Sequence, residues 1–457
     1  MTHLGNGPSG FELNATGSVA PLGLVYELAF DGGDLSSACA ARTIVRLRNL
    51  LPAKQDARRL SGRFVVVRND GMLNQPDPIS GVPLPTPLGD ALPNREGHFL
   101  FDPGRGGGRV DRLPLADEGF RARYAQAAHF GEVNVYHHID RMAVYVSDLL
   151  HELGASDLPR VTAVVNAHHA AIADADGDRD GVHRVDGRVV PFQGGHYRLP
   201  GRAVIVRERH PIAPAGEIHL GPGQQLSRHG ALSRSVGGPY RANASHNPGV
   251  IYHEYAHHIT RHTADFRANS QRPVDRQSNR KTALDEGMAD YWAAALLGTP
   301  HIWIFHHRHD GETLHPRSLL AGATMQTFTR GPAADPHSTG TVWASALWDM
   351  RCRSGKILAE GARAVDRLVL QALLLIGERT ERPMKGSISE SREQSPTLIS
   401  RARRGLGAAS RDLLQADRIL HNSRLRDVIV TALRQREIDP EGSHELRTDG
   451  SARVLMS

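Results

Sequence analysis

The chain is short of cysteine, of lysine and of long apolar runs, and each shortage removes a class of explanation. Its two cysteines, Cys39 and Cys352, stand too far apart in 457 residues to frame a disulfide scaffold or a thiolate zinc site, and both are expected to be buried thiols. The most apolar stretch, LVLQALLLIG from Leu368 to Gly377, is far below the roughly 20 residues a membrane-spanning helix requires, so no membrane insertion is expected. The N-terminal MTHLGNGPSGFELNATG has neither the basic start nor the apolar block of a signal peptide, which fits a cytoplasmic protein or a truncated secreted form. Of the 55 basic residues only Lys54, Lys281, Lys356 and Lys385 are lysines, and the arginines are scattered rather than striped. A net charge of +6 without a recognised nucleic-acid motif predicts no nucleic-acid partner.

What is present is a chain that is 40% hydrophobic and long enough for two or three domains or lobes. The fold class expected is α+β. Residues 1–125 read as a β-rich accessory or pro-like region, with RLSGRFVVVRND and HFLFDP as strands and a proline-dense connection from Gly71 to Asn94. Residues 126–248 read as a β-containing lobe that opens on a helix. There Ile139, Met142, Ala143, Val146, Leu149 and Leu150 recur at helical spacing, Gly154 sits where a C-terminal cap belongs, and His137 and His138 stand as polar residues at the helix start. Residues 249–435 read as a helical lobe, carried by ALDEGMADYWAAALLG, TVWASALWDMR, ARAVDRLVLQALLLIG, ASRDLLQADRIL and RLRDVIVTALRQ. Residues 436–457 read as a tail.

One stretch resists a packing explanation. GVIYHEYAHHITRH, residues 249 to 262, places four histidines and a glutamate on one expected helix. Positions i and i+4 lie one above the other, so His253 and His257 can share an ion, while Glu254 is displaced around the helix and can reach a metal-bound water without ligating the metal. A catalytic zinc needs a third protein ligand and an open position. TALDEGMADYWAAAL offers Glu286 for that ligand, with Asp290 four residues on to accept the outward N–H of a histidine, His253 by preference. Asp285 is the lesser candidate for third ligand, since it points about 100° away on the helix. His258 and His262 are spaced four apart, but no glutamate follows His258, and both are expected to face water.

The runs NPGVIYHEYAHHITR, DEGMADYWA and HSTGTVWASALWDMR resemble the signature segments of the fungalysin-type zinc metallopeptidases, gluzincins related to thermolysin, and EVNVYHHIDR resembles that family's first helix. The resemblance runs discontinuously from about residue 130 to 435. It implies a β-rich N-terminal region followed by a thermolysin-like two-lobed catalytic domain with the zinc helix between the lobes. It also implies Zn2+ held by His253, His257 and Glu286, Glu254 as general base, Asp290 behind the ligands and His337 as donor to the developing oxyanion. The activity implied is endopeptidase action on a peptide or protein substrate; the alternative from another class is a catalytically silent, zinc-stabilised binding module. Members of the family are usually secreted. No tyrosine falls between Tyr255 and Tyr291, where thermolysin keeps one that assists the oxyanion, and the aspartate that would orient His337 is unassigned, Asp335 being the nearest in sequence.

Two weaker signals complete the reading. Asp176, Asp178 and Asp180 are spaced like the start of an EF-hand loop, but Gly187 stands where the closing glutamate belongs, leaving a looser Ca2+ site or a solvated acidic turn. Asn243 and Asn247, just before the zinc helix, read as loop-capping residues rather than substrate contacts.

Overall fold

Short β-branched runs, VVVRN and VTAVV, supply two of the four strands of the largest sheet in the first part of the chain. In the computed structural model β1 (Leu22–Asp31) and β2 (Asp34–Arg46) make an antiparallel hairpin, Leu22 opposite Arg46. β3 (Val65–Asn69), β6 (Val161–Val165), β9 (Gly195–Arg198) and β10 (Glu217–Leu220) make a four-stranded sheet in the order β3-β6-β10-β9, in which β6 runs parallel to both β3 and β10. Val65, Val67, Val161, Ala163, Ile218 and Leu220 are buried. A three-stranded sheet joins β7 (His168–Ile172), β8 (Val185–Gln193) and β11 (Val236–Gly237). The structure describes residues 20–31, 34–51, 60–76, 83–103, 118–172, 185–199, 211–222, 236–237, 243–265, 279–302, 317–320, 322–325, 336–381 and 405–440.

The proline-dense connection is not irregular throughout. β4 (Met72–Pro76) and β5 (Pro83–Pro87) form an antiparallel pair, Pro76 opposite Pro83. A two-stranded ladder has an outer edge on each strand, and prolines are tolerated where no N–H is required of the ladder. HFLFDP, expected as a strand, contributes only an isolated bridge from Phe99 to Gly23.

The first helix, α1 (Glu118–Glu152), starts well before its apolar stripe, so His137 and His138 lie in its middle rather than at its start. His138 donates from Nε2 to the Tyr26 carbonyl at 2.8 Å, and His137 pairs with Glu27 at 2.8 Å. Asn134 accepts from the Tyr26 N–H and donates to the Ser245 carbonyl, each at 2.9 Å. Gly154, at φ +69, ends the helix as its position in the sequence predicts.

The chain divides into two compact units. One comprises Met1–Val144, Pro159–Ile251 and Phe305–Leu314, the other Tyr145–Leu158, Tyr252–Ile304 and His315–Ser457. The mixed α+β class is as expected: seven α-helices accompany four sheets among the described residues. None of the described helices is long and apolar enough to cross a membrane.

The 3-10 turn Ala244–His246 is capped by Asn243, and α2 (Pro248–Thr263) begins after Asn247, whose Oδ1 accepts the Gly249 N–H at 2.9 Å. Both asparagines cap, as their loop setting predicts. The second unit is built from most of α2 with α3 (Asn279–Leu297), α4 (Pro336–Ser354), α5 (Ala362–Glu381), α6 (Leu406–His421) and α7 (Arg426–Gln435). α3 and α4 approach at two glycines: a Cβ on Gly340 would lie 2.8 Å from the Gly287 nitrogen and 2.9 Å from the Ala283 carbonyl oxygen. Only a residue without a side chain fits there. Cys352, expected to be buried, is exposed on α4, because the helix turns that position away from its packed face.

Asp366 anchors this unit from a fully buried position. It accepts from Tyr145 at 2.6 Å, from the Tyr291 hydroxyl and from Arg351 Nε at 3.0 Å. Burial and the neighbouring carboxylate push both tyrosine pKa values up, so the hydroxyls remain donors. Asp366→Ala strips the acceptor from three donors and leaves the guanidinium uncompensated. Its unfolding free energy, measured by denaturant titration, is expected to fall by about 3–5 kcal/mol; a loss below about 1 kcal/mol, the scale of an ordinary exposed ion pair, contradicts the assignment.

Candidate metal centre

α2 and α3 bring their charged faces together within the second unit. His253 and His257 project from one face of α2, and Glu286 projects from α3 toward them. His253 Nε2 lies 3.1 Å from Glu286 Oε2, His257 Nε2 lies 3.5 Å from the same oxygen, and the two Nε2 atoms lie 3.3 Å apart. Donors about 2.0–2.1 Å from one zinc ion at tetrahedral angles stand about 3.3–3.4 Å from one another. The triangle therefore has the size of one face of a zinc tetrahedron.

The far side of each imidazole explains its orientation. Asp290 Oδ1 meets His253 Nδ1 at 2.9 Å, and Asp285 Oδ1 meets His257 Nδ1 at 3.2 Å. A carboxylate only accepts, so each Nδ1 carries the proton and, in the neutral ring, the lone pair is left on Nε2. In the neutral rings two lone pairs and a carboxylate oxygen point at one place, as a bound cation requires, whereas without a cation protons on Nε2 hold the rings to Glu286. The sequence presents Asp285 as a substitute third ligand. It serves His257 as Asp290 serves His253, and it is itself fixed by the Thr260 hydroxyl at 2.6 Å. Arg317 Nε holds the second Asp290 oxygen at 2.8 Å. Neither partnership was read from the sequence.

Electrostatics agree with the geometry. Burial lowers the pKa of His253, but Asp290 and Glu286 more than offset it and hold it near 9. Burial opposes charge on His257 too, yet Asp285 and Glu286 leave its pKa well above the usual value, and the facing histidines hold Glu286 well below the carboxylate range despite its burial. In the metal-free protein these groups favour their charged forms, so a metal ion must displace protons and binds more strongly as pH rises. Glu254, only 6% exposed and beside these ligands, has its pKa raised chiefly by burial, partly countered by His253 and His257.

His337, in the first turn of α4, brings Nε2 to 3.3 Å from Glu286 Oε2. His253, Glu286 and His337 form a group whose ligand atoms all lie within 4.8 Å of one another and which could hold a metal ion. A second such group, Glu27, His137 and His138, is less suited, because Arg141 already pairs with Glu27 at 3.0 Å and the His138 Nε2 is engaged by the Tyr26 carbonyl. His258, expected to face water, is buried beside His262, with ring centroids 4.4 Å apart. Asp176, Asp178, Asp180 and Asp335 lie outside the described residues.

Asp285→Ala and Asp290→Ala each leave three candidate ligands in place but release one imidazole from its tautomer. Each is expected to weaken binding of an added divalent metal ion about 10–100-fold in competition with a chromophoric chelator. Unchanged affinity in both variants would remove the carboxylates from the site.

The chain matches no protein-family model, and a search of curated proteins found no match.

Proposed function

We propose that the protein is a zinc-dependent endopeptidase whose metal is held by His253, His257 and Glu286. The observation that carries this reading is the convergence of the two Nε2 atoms and one carboxylate oxygen at 3.1–3.5 Å, with the buried Glu254 on the same helix. Zinc bound there supplies a water whose pKa is lowered to about 7 and a Lewis acid for the scissile carbonyl.

The residues divide the remaining work. Glu254, displaced about 100° around α2 from His253, is placed to take the proton of the attacking water and deliver it to the leaving amine. A carboxyl whose pKa is raised by burial accepts a proton more readily than an exposed one, which suits it to taking one from water. His337 offers an N–H to the oxygen that gains charge as the carbonyl is attacked. Asp285 and Asp290 keep the ligand imidazoles in one tautomer. The two-lobed, thermolysin-like arrangement belongs to the same proposal, since the resemblance of the HEYAH, DEGMAD and HSTGTVWA segments supports it.

The test is cleavage of casein and of a mixed peptide library by purified protein. Turnover that a chelator abolishes and added zinc restores supports the proposal. Zinc binding without cleavage of any peptide supports the binding-module alternative instead.

A further inference from the structure

We infer that the outer edge of β2 is a docking strand for an extended acidic peptide segment of another protein, which adds to the β1–β2 hairpin along that edge. The inference is independent of the metal centre. The register of the hairpin shows which backbone groups are at issue. Leu22 pairs with Arg46, Leu24 with Ile44 and Tyr26 with Arg42, and the Leu47 N–H donates to the Pro21 carbonyl at 2.8 Å. In an antiparallel ladder only alternate pairs exchange hydrogen bonds, so Thr43, Val45 and Leu47 bond across to β1, while the N–H and C=O groups of Arg42, Ile44 and Arg46 point the other way. The far edge of β1 is already used. The Leu24 N–H donates to the Phe99 carbonyl at 3.1 Å, the Phe99 N–H donates to the Leu22 carbonyl at 2.7 Å, and Asn134 and His138 take the Tyr26 N–H and carbonyl. Among the described residues no strand pairs with the outer edge of β2.

The side chains at that edge say what fits it. Arg42, Ile44 and Arg46 share one face of the strand and all three are exposed, Ile44 at 58%. A peptide laid along the edge places residues two apart beside them on the same face. The complementary pattern is therefore an acid, any residue, an apolar residue, any residue and an acid. A second copy of this chain fits badly, because antiparallel pairing about Ile44 sets Arg42 of one copy opposite Arg46 of the other, and like charges directly opposite are destabilising. Edge arginines thus block self-association, and an acidic partner turns the same two charges into attraction. Glu27, on the adjacent strand, is engaged by His137 and Arg141 and does not neutralise the edge. Arg42 meets Asp102 at 3.6 Å, but the two side chains are 49% and 64% exposed, so that pair is weak and gives way readily to a carboxylate of the partner.

The experiment titrates the full chain into fluorescein-labelled Thr-Glu-Thr-Leu-Thr-Glu-Thr, shown by mass spectrometry to stay intact, and reads binding by fluorescence polarisation. Saturable binding is expected. The double variant Arg42→Glu, Arg46→Glu should weaken it about tenfold, as should a peptide with lysine in place of both glutamates, and the lysine peptide should regain affinity on the charge-reversed chain. Ile44→Pro removes an outward N–H while leaving the bonds to β1, and should abolish binding of the original peptide. Thermal midpoints, expected to match the wild type because all three side chains are exposed, separate lost docking from misfolding, and the charge exchange carries the test if the proline variant does not fold. Absence of saturable binding at millimolar peptide overturns the inference, as does binding indifferent to the reversal of both arginines. A dimer in sedimentation that Ile44→Pro dissociates gives the edge to a second copy and overturns it too.

Discussion

Glu254→Gln is expected to purify with zinc bound and to hydrolyse peptides about 10²–10⁴-fold more slowly than the wild type, the range for loss of a general acid–base group. The substitution is nearly isosteric and touches none of the ligand atoms, so zinc affinity and thermal midpoint should hold. A neutral amide cannot take the proton from water, and it cannot return one to the leaving amine. The pH profile carries a second signature. Burial raises the Glu254 pKa, so the part of the acid limb that belongs to this carboxyl should be missing from the glutamine variant, while the part set by protonation of His253 and His257 persists. Turnover retained by a metal-loaded Glu254→Gln protein contradicts the general-base assignment.

Glu286→Ala should lose both zinc and activity. The carboxylate is the one anionic ligand and lies within 3.1–3.5 Å of three imidazole nitrogens, those of His253, His257 and His337. Its removal leaves His253 and His257 with their outward partners, Asp290 and Asp285, and with no carboxylate facing their Nε2 atoms. Zinc affinity should fall by about a hundredfold or more, at or beyond the upper end of what the loss of an outer-sphere partner costs. Equilibrium dialysis against buffered zinc measures the affinity, and cleavage of the same peptide library measures the activity. A Glu286→Ala protein that binds zinc at wild-type strength would place the third ligand elsewhere.

The parts of the site that follow helical arithmetic were legible in the sequence. His253 and His257, and Glu286 and Asp290, are pairs four apart, and such pairs share a helix face whatever surrounds them. The partnership of Asp285 with His257 was not legible, because it depends on how α2 crosses α3, and a helical wheel gives a direction without a neighbour. Arg317 was invisible for the same reason: no motif marks it, and only the fold carries it to Asp290. His258 has no chemical role that its spacing reveals and so is expected in solvent, whereas it packs with Tyr255 and His262.

In the fold, the later helices announced themselves through apolar residues three and four apart, while α1 did not disclose its beginning. Its first turns, EGFRARYAQAAHFG, mix charged and small residues and carry little of the stripe that begins at Ile139. The β4–β5 pair was hidden by its prolines, which argue against a central strand but not against a two-stranded ladder.

The central claim is that His253, His257 and Glu286 meet at a single divalent ion, and zinc-edge X-ray absorption of the protein loaded with one zinc per chain tests it most directly. The account predicts a low-coordinate shell of nitrogen and oxygen at about 2.0–2.2 Å, with the outer-shell scattering of imidazole rings, collapsing when His253 and His257 are replaced. A spectrum of hydrated zinc, or an imidazole shell that survives those replacements, contradicts it.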